Sequence, residues 1–140
     1  MNNERWFLGG TCAGTQWRNN LIPYLKKNNI DFFNPVVDDW TPECQAIEED
    51  EKNNKCDVHL YVLTPEMQGT YSIAEIVHSA HLANMYGTSV NKVIVAVMYP
   101  DEWEKHQIKS FDAMFKLVKN IARENAAVGF INDEKDILLL

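Results

Sequence analysis

Short apolar runs alternate along this chain with longer stretches whose apolar residues recur every three or four positions. The first pattern predicts strands and the second helices. Arg5–Leu8 predicts a first strand that breaks at Gly9-Gly10. The loop GGTCAGTQ leads into WRNNLIPYLKKNN, a helix whose Trp17, Leu21, Tyr24 and Leu25 share a face. Pro23 predicts a kink there, or a start near Leu21, and Asn28-Asn29 a stop. IDFFN predicts the second strand, and NPVVDDW a loop in which Pro35 keeps Asn34 extended. Thr41-Pro42 is an N-cap followed by proline at the first helical position, opening the acidic helix ECQAIEEDEKNNK with one solvated face. Asp57–Leu63 predicts strand three, Ser72–Tyr86 a helix stopped by Gly87, and Lys92–Met98 a nearly continuous apolar strand four. Ser110–Arg123 predicts a further helix and AAVGFI a fifth strand, and the apolar end of DEKDILLL predicts a docked tail.

Strands alternate with helices throughout, without repeat, linker or low-complexity segment, so one domain over residues 1–140 is expected. The pattern predicts an α/β doubly wound, mainly parallel five-stranded sheet. Ligands of such sheets sit beyond the carboxyl ends of the strands. That rule gathers Gly9–Thr15, Asp38, Asp39, Trp40, Glu75 and Tyr99 around one cleft.

Composition narrows the partners. Apolar content of 46% and charged content of 24% suit a globular core. A net charge of −7 argues against binding a nucleic-acid polymer, which needs clustered cations, but leaves small anions possible. Cys12, Cys44 and Cys56 are odd in number and form no ligand pattern with histidine, so no metal site and no disulfide framework is expected. VIVAVMY is too short to span a bilayer and MNNERWFLGG holds no long apolar run, so no membrane association and a cytoplasmic location are expected.

Three segments suggest chemistry. GGTCAGTQ is glycine-rich but matches neither a dinucleotide fingerprint nor a triphosphate loop; it is a ligand-approach loop or simply a tight turn. DDW is a solvated turn, or a base-recognition element in which one carboxylate bonds an amino group beside Trp40. Glu75 lies where TPEMQGTY becomes a helix. There it serves the helix dipole or acts as a nucleophile, whose charged form that dipole favours. Ser72 and Ser79, at i−3 and i+4, share its face and are placed to orient it. His59, His78 and His81 are expected to be packing or surface residues, since no nucleophile or ligand set converges on them.

FLGGTCAGTQWR, NPVVDDW and CDVHLYVLTPEMQGTYSIAEI together resemble the nucleoside 2-deoxyribosyltransferase-like family, over roughly Trp6 to Tyr99. The resemblance implies a flavodoxin- or Rossmann-like fold. It implies Glu75 as the catalytic nucleophile, attacking the anomeric carbon of a nucleoside or nucleotide and passing the sugar to another base or to water, in the manner of a retaining glycosidase. Substrate-binding candidates are Gly9, Gly10 and Thr11 on the sugar side, Asp38, Asp39 and Trp40 at the base, and Tyr71 and Ser72 beside the nucleophile. No cofactor is implied, and a homo-oligomer is. Better-known members carry an aspartate six residues before the nucleophile, where this chain has Gly69, and Glu49 or Asp50 lies near another family aspartate. That departure keeps open an alternative, a non-catalytic protein that binds a nucleotide metabolite or signal in the same cleft.

Overall fold

The computed structural model describes residues 4–140, so the first three residues of the expected 1–140 unit lie outside the described residues. Five strands form one parallel sheet: β1 (Arg5–Gly10), β2 (Asp31–Phe33), β3 (Val58–Leu63), β4 (Lys92–Met98) and β5 (Ala126–Ile131), in the order β2-β1-β3-β4-β5. Four α-helices connect them: α1 (Trp17–Lys27), α2 (Pro42–Asp50), α3 (Tyr71–Ala83) and α4 (Lys105–Ala122). The α/β, all-parallel sheet flanked by helices agrees with the pattern of the sequence. Strands β3 and β4 are apolar almost without interruption because both faces are covered. Helices α3 and α4 pack with Tyr61, Val93, Val95 and Val97 on one face. Helix α1 and the C-terminal segment pack with Leu8, Leu60, Ile94 and Met98 on the other. The tail docks as expected, with Ile137 fully buried.

Boundaries shift where side chains, rather than periodicity, decide them. β1 runs two residues further than expected because Gly10 pairs with Val62 of β3. Helix α1 passes through Pro23 without restarting; Pro23 and Asn19, whose carbonyl loses its donor, are both exposed to water. Helix α3 stops at Ala83, before Gly87, because Thr88 Oγ1 donates to Leu82 O (2.8 Å) and Asn125 Nδ2 to Ala83 O (3.0 Å). Helix α4 starts five residues before the expected Ser110 because Glu104 and Gln107 form a capping box. The acidic helix is not one helix either: after Asp50 it widens into a π-helical turn over Glu51–Lys55.

The strand order reverses direction between β1 and β3, where a crevice opens at the carboxyl ends of such sheets. Gly10 sits at that point with φ +112°, and a Cβ there would lie 2.1 Å from the Val62 carbonyl oxygen. Any side chain would force β1 and β3 apart. Gly10→Ala is therefore expected to cost more than about 3 kcal/mol or to prevent folding, beyond ordinary substitutions. Gly69→Ala, where a Cβ meets nothing within 4 Å, is expected to stay within about 0.5 kcal/mol. Urea unfolding of both variants checks the contrast, and equal midpoints would contradict it.

Candidate active site

The loop after β1 turns sharply through Gly10 and is fixed from below. Arg18, buried on α1, donates from Nε to Leu8 O (3.0 Å) and from Nη1 to Thr11 O (2.7 Å). Trp17 Nε1 donates to the same Thr11 carbonyl (2.9 Å), and Thr11 Oγ1 accepts from Thr64 N–H (3.0 Å). Burial pushes the Arg18 pKa down, against the neighbouring Cys12 and Glu48. Above this loop lies a cavity of about 720 Å³, walled by Pro35–Val37 and Trp40, by α2, by Glu66–Gly69 and by the start of α3.

Glu75 lines the cavity as the fifth residue of α3, past the first turn where the helix dipole acts. Its partner is a cation instead. Lys52 Nζ donates to Glu75 Oε2 in a charge-assisted hydrogen bond. Both side chains are only 16% exposed, and the ammonium also lies 5.2 Å from the centre of the Phe7 ring. Among the described residues, Lys52 engages Oε2 alone, and Oε1 has no hydrogen bond.

Lys52 belongs to the π-turn, which is anchored at both ends. Glu51, buried, takes a bidentate pair from Arg5, Nε to Oε1 (2.9 Å) and Nη2 to Oε2 (2.8 Å). That pair raises the Arg5 pKa against the effect of burial. Cys56 N–H closes the turn on Glu51 O (2.8 Å), and burial pushes the Cys56 thiol up to about 12. Under the turn sits His59, fully buried, with Nε2 2.8 Å from Lys52 O and Nδ1 2.8 Å from Ser79 Oγ. Ser79 also meets the Tyr61 hydroxyl (2.7 Å). The expectation that Ser79 orients Glu75 is therefore corrected: its hydroxyl points into the core, because β3 supplies two polar rings there. His59 is buried in the core, but a serine does converge on it, contrary to expectation; His78 and His81 are exposed, as surface residues.

A second carboxylate faces the cavity. Glu48, half-buried on α2, has its pKa raised, chiefly by burial and further by the negative charge of Glu75. Lys52 and a hydrogen bond with the Trp40 indole oppose that rise without reversing it. Glu48 precedes Lys52 by one helical turn, so the acidic segment presents both to one wall.

Of the residues singled out in the sequence, Gly10, Thr11, Trp40, Tyr71, Ser72 and Glu75 line this cavity. Gly9 lies beneath it, where a Cβ would come within 2.7 Å of the Tyr61 ring. Asp38 and Asp39 are exposed in a bend outside the lining. Tyr99 is also outside it, correcting its expected place at the cleft: it packs on the opposite face of the sheet from α3. Glu49 lines the cavity, whereas Asp50 turns to Lys55 (3.3 Å). Lys52, Glu48 and Arg18 were not found by sequence reasoning. The only available signal was the Glu48–Lys52 spacing of i, i+4. Among the described residues, no group of three or more His, Cys, Asp or Glu is placed to hold a metal ion, and no helix is long and apolar enough to cross a membrane.

The family model described as "Nucleoside 2-deoxyribosyltransferase like" matches residues 3–99, and the chain belongs to that family. The match covers β1 to β4 and every residue of the cavity wall. No curated protein and no solved structure matches the chain.

Burial holds the His59 pKa down to about 4, with the Lys52 and His78 charges adding to the effect and the Lys52 carbonyl opposing it. The unfolded imidazole titrates near 6.5 and so binds a proton first as pH falls. The stability that His59 lends is complete above about pH 6.5 and is lost between there and about 4. From pH 7 to pH 5 the wild type is expected to lose about 2 kcal/mol more than His59→Gln, which cannot titrate. Denaturant unfolding at both pH values measures this, and parallel losses would contradict it.

Proposed function

We propose that this protein cleaves the N-glycosidic bond of a nucleoside through a covalent glycosyl-Glu75 ester. The observation that carries the proposal is the pair of carboxylates lining one cavity, Glu48 from α2 and Glu75 from α3. One is bound to a lysine through a single oxygen; the other is biased toward its protonated form. Glu75 Oε1 attacks the anomeric carbon while the carbon–nitrogen bond to the base breaks. The electron pair of that bond leaves with the base, which takes a proton from the Glu48 carboxyl. Lys52 holds Glu75 by Oε2, so that Oε1 keeps one direction of attack. Glu48, now ionised, takes a proton from water as that water attacks the same carbon. Glu75 then departs as a carboxylate, and two displacements retain configuration.

The cavity chemistry also supports a choice of substrate. Glu48, Glu49, Glu66 and Glu75 line it against a single lysine that is already paired. A 5′-phosphate would enter a field of its own sign, so an uncharged nucleoside is the favoured substrate. Trp40 offers a flat apolar surface for the base, and Gly10 and Thr11 lie toward the sugar. Asp38 and Asp39 contribute no base contact in this assignment. Water is favoured over a second base as acceptor, because Gly69 leaves the region beside the nucleophile open. The alternative is a protein that binds such a ligand without turnover. The ion pair that occupies one Glu75 oxygen favours it.

Glu75→Gln is expected to lower the rate of base release at least about a thousandfold with little change in affinity. Glu48→Gln is expected to lower it about a hundredfold or more, as loss of a general acid does. Chromatography of released base with calorimetric binding measures both. Unchanged release in Glu75→Gln rejects the nucleophile, and binding without release in the wild type supports the alternative. In the same assay the nucleoside is expected to react at least about tenfold better than its 5′-monophosphate, on the scale of an unpaired charge meeting like charge. The reverse preference would contradict the acidic-cavity argument.

A further inference from the structure

We propose that His59 is a positioning residue that sets Lys52 against Glu75, by tying the π-turn to the nucleophile's helix through the two nitrogens of one imidazole. In an unbroken α-helix, Lys52 O would accept from Cys56 N–H, four residues on. Here Cys56 N–H goes to Glu51 O (2.8 Å). Asp57 N–H, the next donor in the wider register, goes to Arg5 O (2.9 Å). The Lys52 carbonyl is therefore released from the helix, and its described partner is His59 Nε2 (2.8 Å). The other nitrogen reaches Ser79 on α3, one helical turn after Glu75. A single ring thus spans the backbone of the lysine and the helix of the carboxylate.

The proton positions in this chain are determined by its acceptors. A carbonyl oxygen only accepts, so Nε2 carries the imidazole proton. The ring is buried without a carboxylate partner and is neutral, so Nδ1 accepts from the Ser79 hydroxyl. With that hydroxyl proton committed, Ser79 Oγ accepts from Tyr61. Donation runs in one direction, from Tyr61 through Ser79 and His59 to the Lys52 carbonyl. Among the described residues, the buried side-chain polar atoms left unpaired are Trp6 Nε1 and Thr64 Oγ1, and none of this network's side-chain atoms is one of them. A residue present only for packing has no need of this order.

The catalytic consequence rests on Glu75 being the nucleophile, but the positioning does not, so the test separates them. Nitrogen-15 spectra of histidine-labelled wild type are expected to give the Nε2–H tautomer for His59; the Nδ1–H tautomer overturns the proposal without any variant. Two substitutions each keep one bond: His59→Gln retains a donor near Lys52 O, and His59→Asn retains an acceptor near Ser79 only. The Lys52 ammonium signal, seen while it is hydrogen-bonded to Glu75, is expected to persist in His59→Gln and to vanish in His59→Asn. Ser79→Ala serves where His59→Asn does not fold, and is expected to weaken that signal and mix the tautomers. A full signal in folded His59→Asn or Ser79→Ala overturns the proposal. Where the signal is lost, kcat for base release is expected to fall about a hundredfold with KM little changed, as displacement of a catalytic group by about an ångström does. Loss of the signal with unchanged release keeps the positioning and rejects Glu75 as nucleophile.

Discussion

One change of hydrogen-bond register governs the site. Cys56 N–H bonds the carbonyl five residues back rather than four, and the helix that began at Pro42 widens over Glu51–Lys55. Isolated π-turns are uncommon and concentrate where function requires an irregular backbone. This one is held by strong contacts on either side, the Arg5–Glu51 pair on β1 and the His59 ring on β3. Its geometry brings Lys52 inward to Glu75 while Glu51, one residue earlier, turns toward the sheet. Adjacent residues of opposite charge thereby serve separate ion pairs.

The apolar sheet makes this arrangement possible. Most of β3 and β4 is aliphatic, and the polar side chains admitted to β3 are His59 and Tyr61, both on the face toward α3. Each is paired, so the cost of burying them is largely offset. Arg18 plays a similar part beneath the loop after β1, meeting carbonyl oxygens rather than a carboxylate. The loop that faces the cavity is therefore rigid from below, and the acidic wall is formed by α2, which buries no residue of its own in the core. The match to the nucleoside 2-deoxyribosyltransferase-like family spans both parts, the β1–β4 frame and the acidic wall over it.

The architecture was legible because it depends on periodicity. Strand-length apolar runs and helical spacing placed β4 and β5 to the residue, and each of the other strands to within two residues at either end. What escaped depends on hydrogen bonds between distant residues. No local pattern in EEDEKNNK announces that Cys56 will bond Glu51, and without that turn Lys52 reads as one more charge on a solvated helix. Glu75 was legible as a candidate, but its partner was not. The helix-dipole account failed because α3 begins at Tyr71, leaving Glu75 in the second turn. Asp38 and Asp39 stood out by their loop at the carboxyl end of β2, by Trp40 beside them and by the family resemblance, while the lining carboxylate that feels the charge of Glu75 is Glu48, in a stretch where acids are too common to stand out.

The central claim, that Glu75 carries the sugar during turnover, is open to direct observation. A nucleoside with fluorine at C2′ slows both displacements by destabilising an oxocarbenium-like transition state, and a reactive base as leaving group restores the first. Intact-protein mass spectrometry after incubation is expected to show one added fluorosugar per chain, and peptide mapping to place it on Glu75. Stoichiometric base release with no mass change, or a sugar on another residue, would contradict the account.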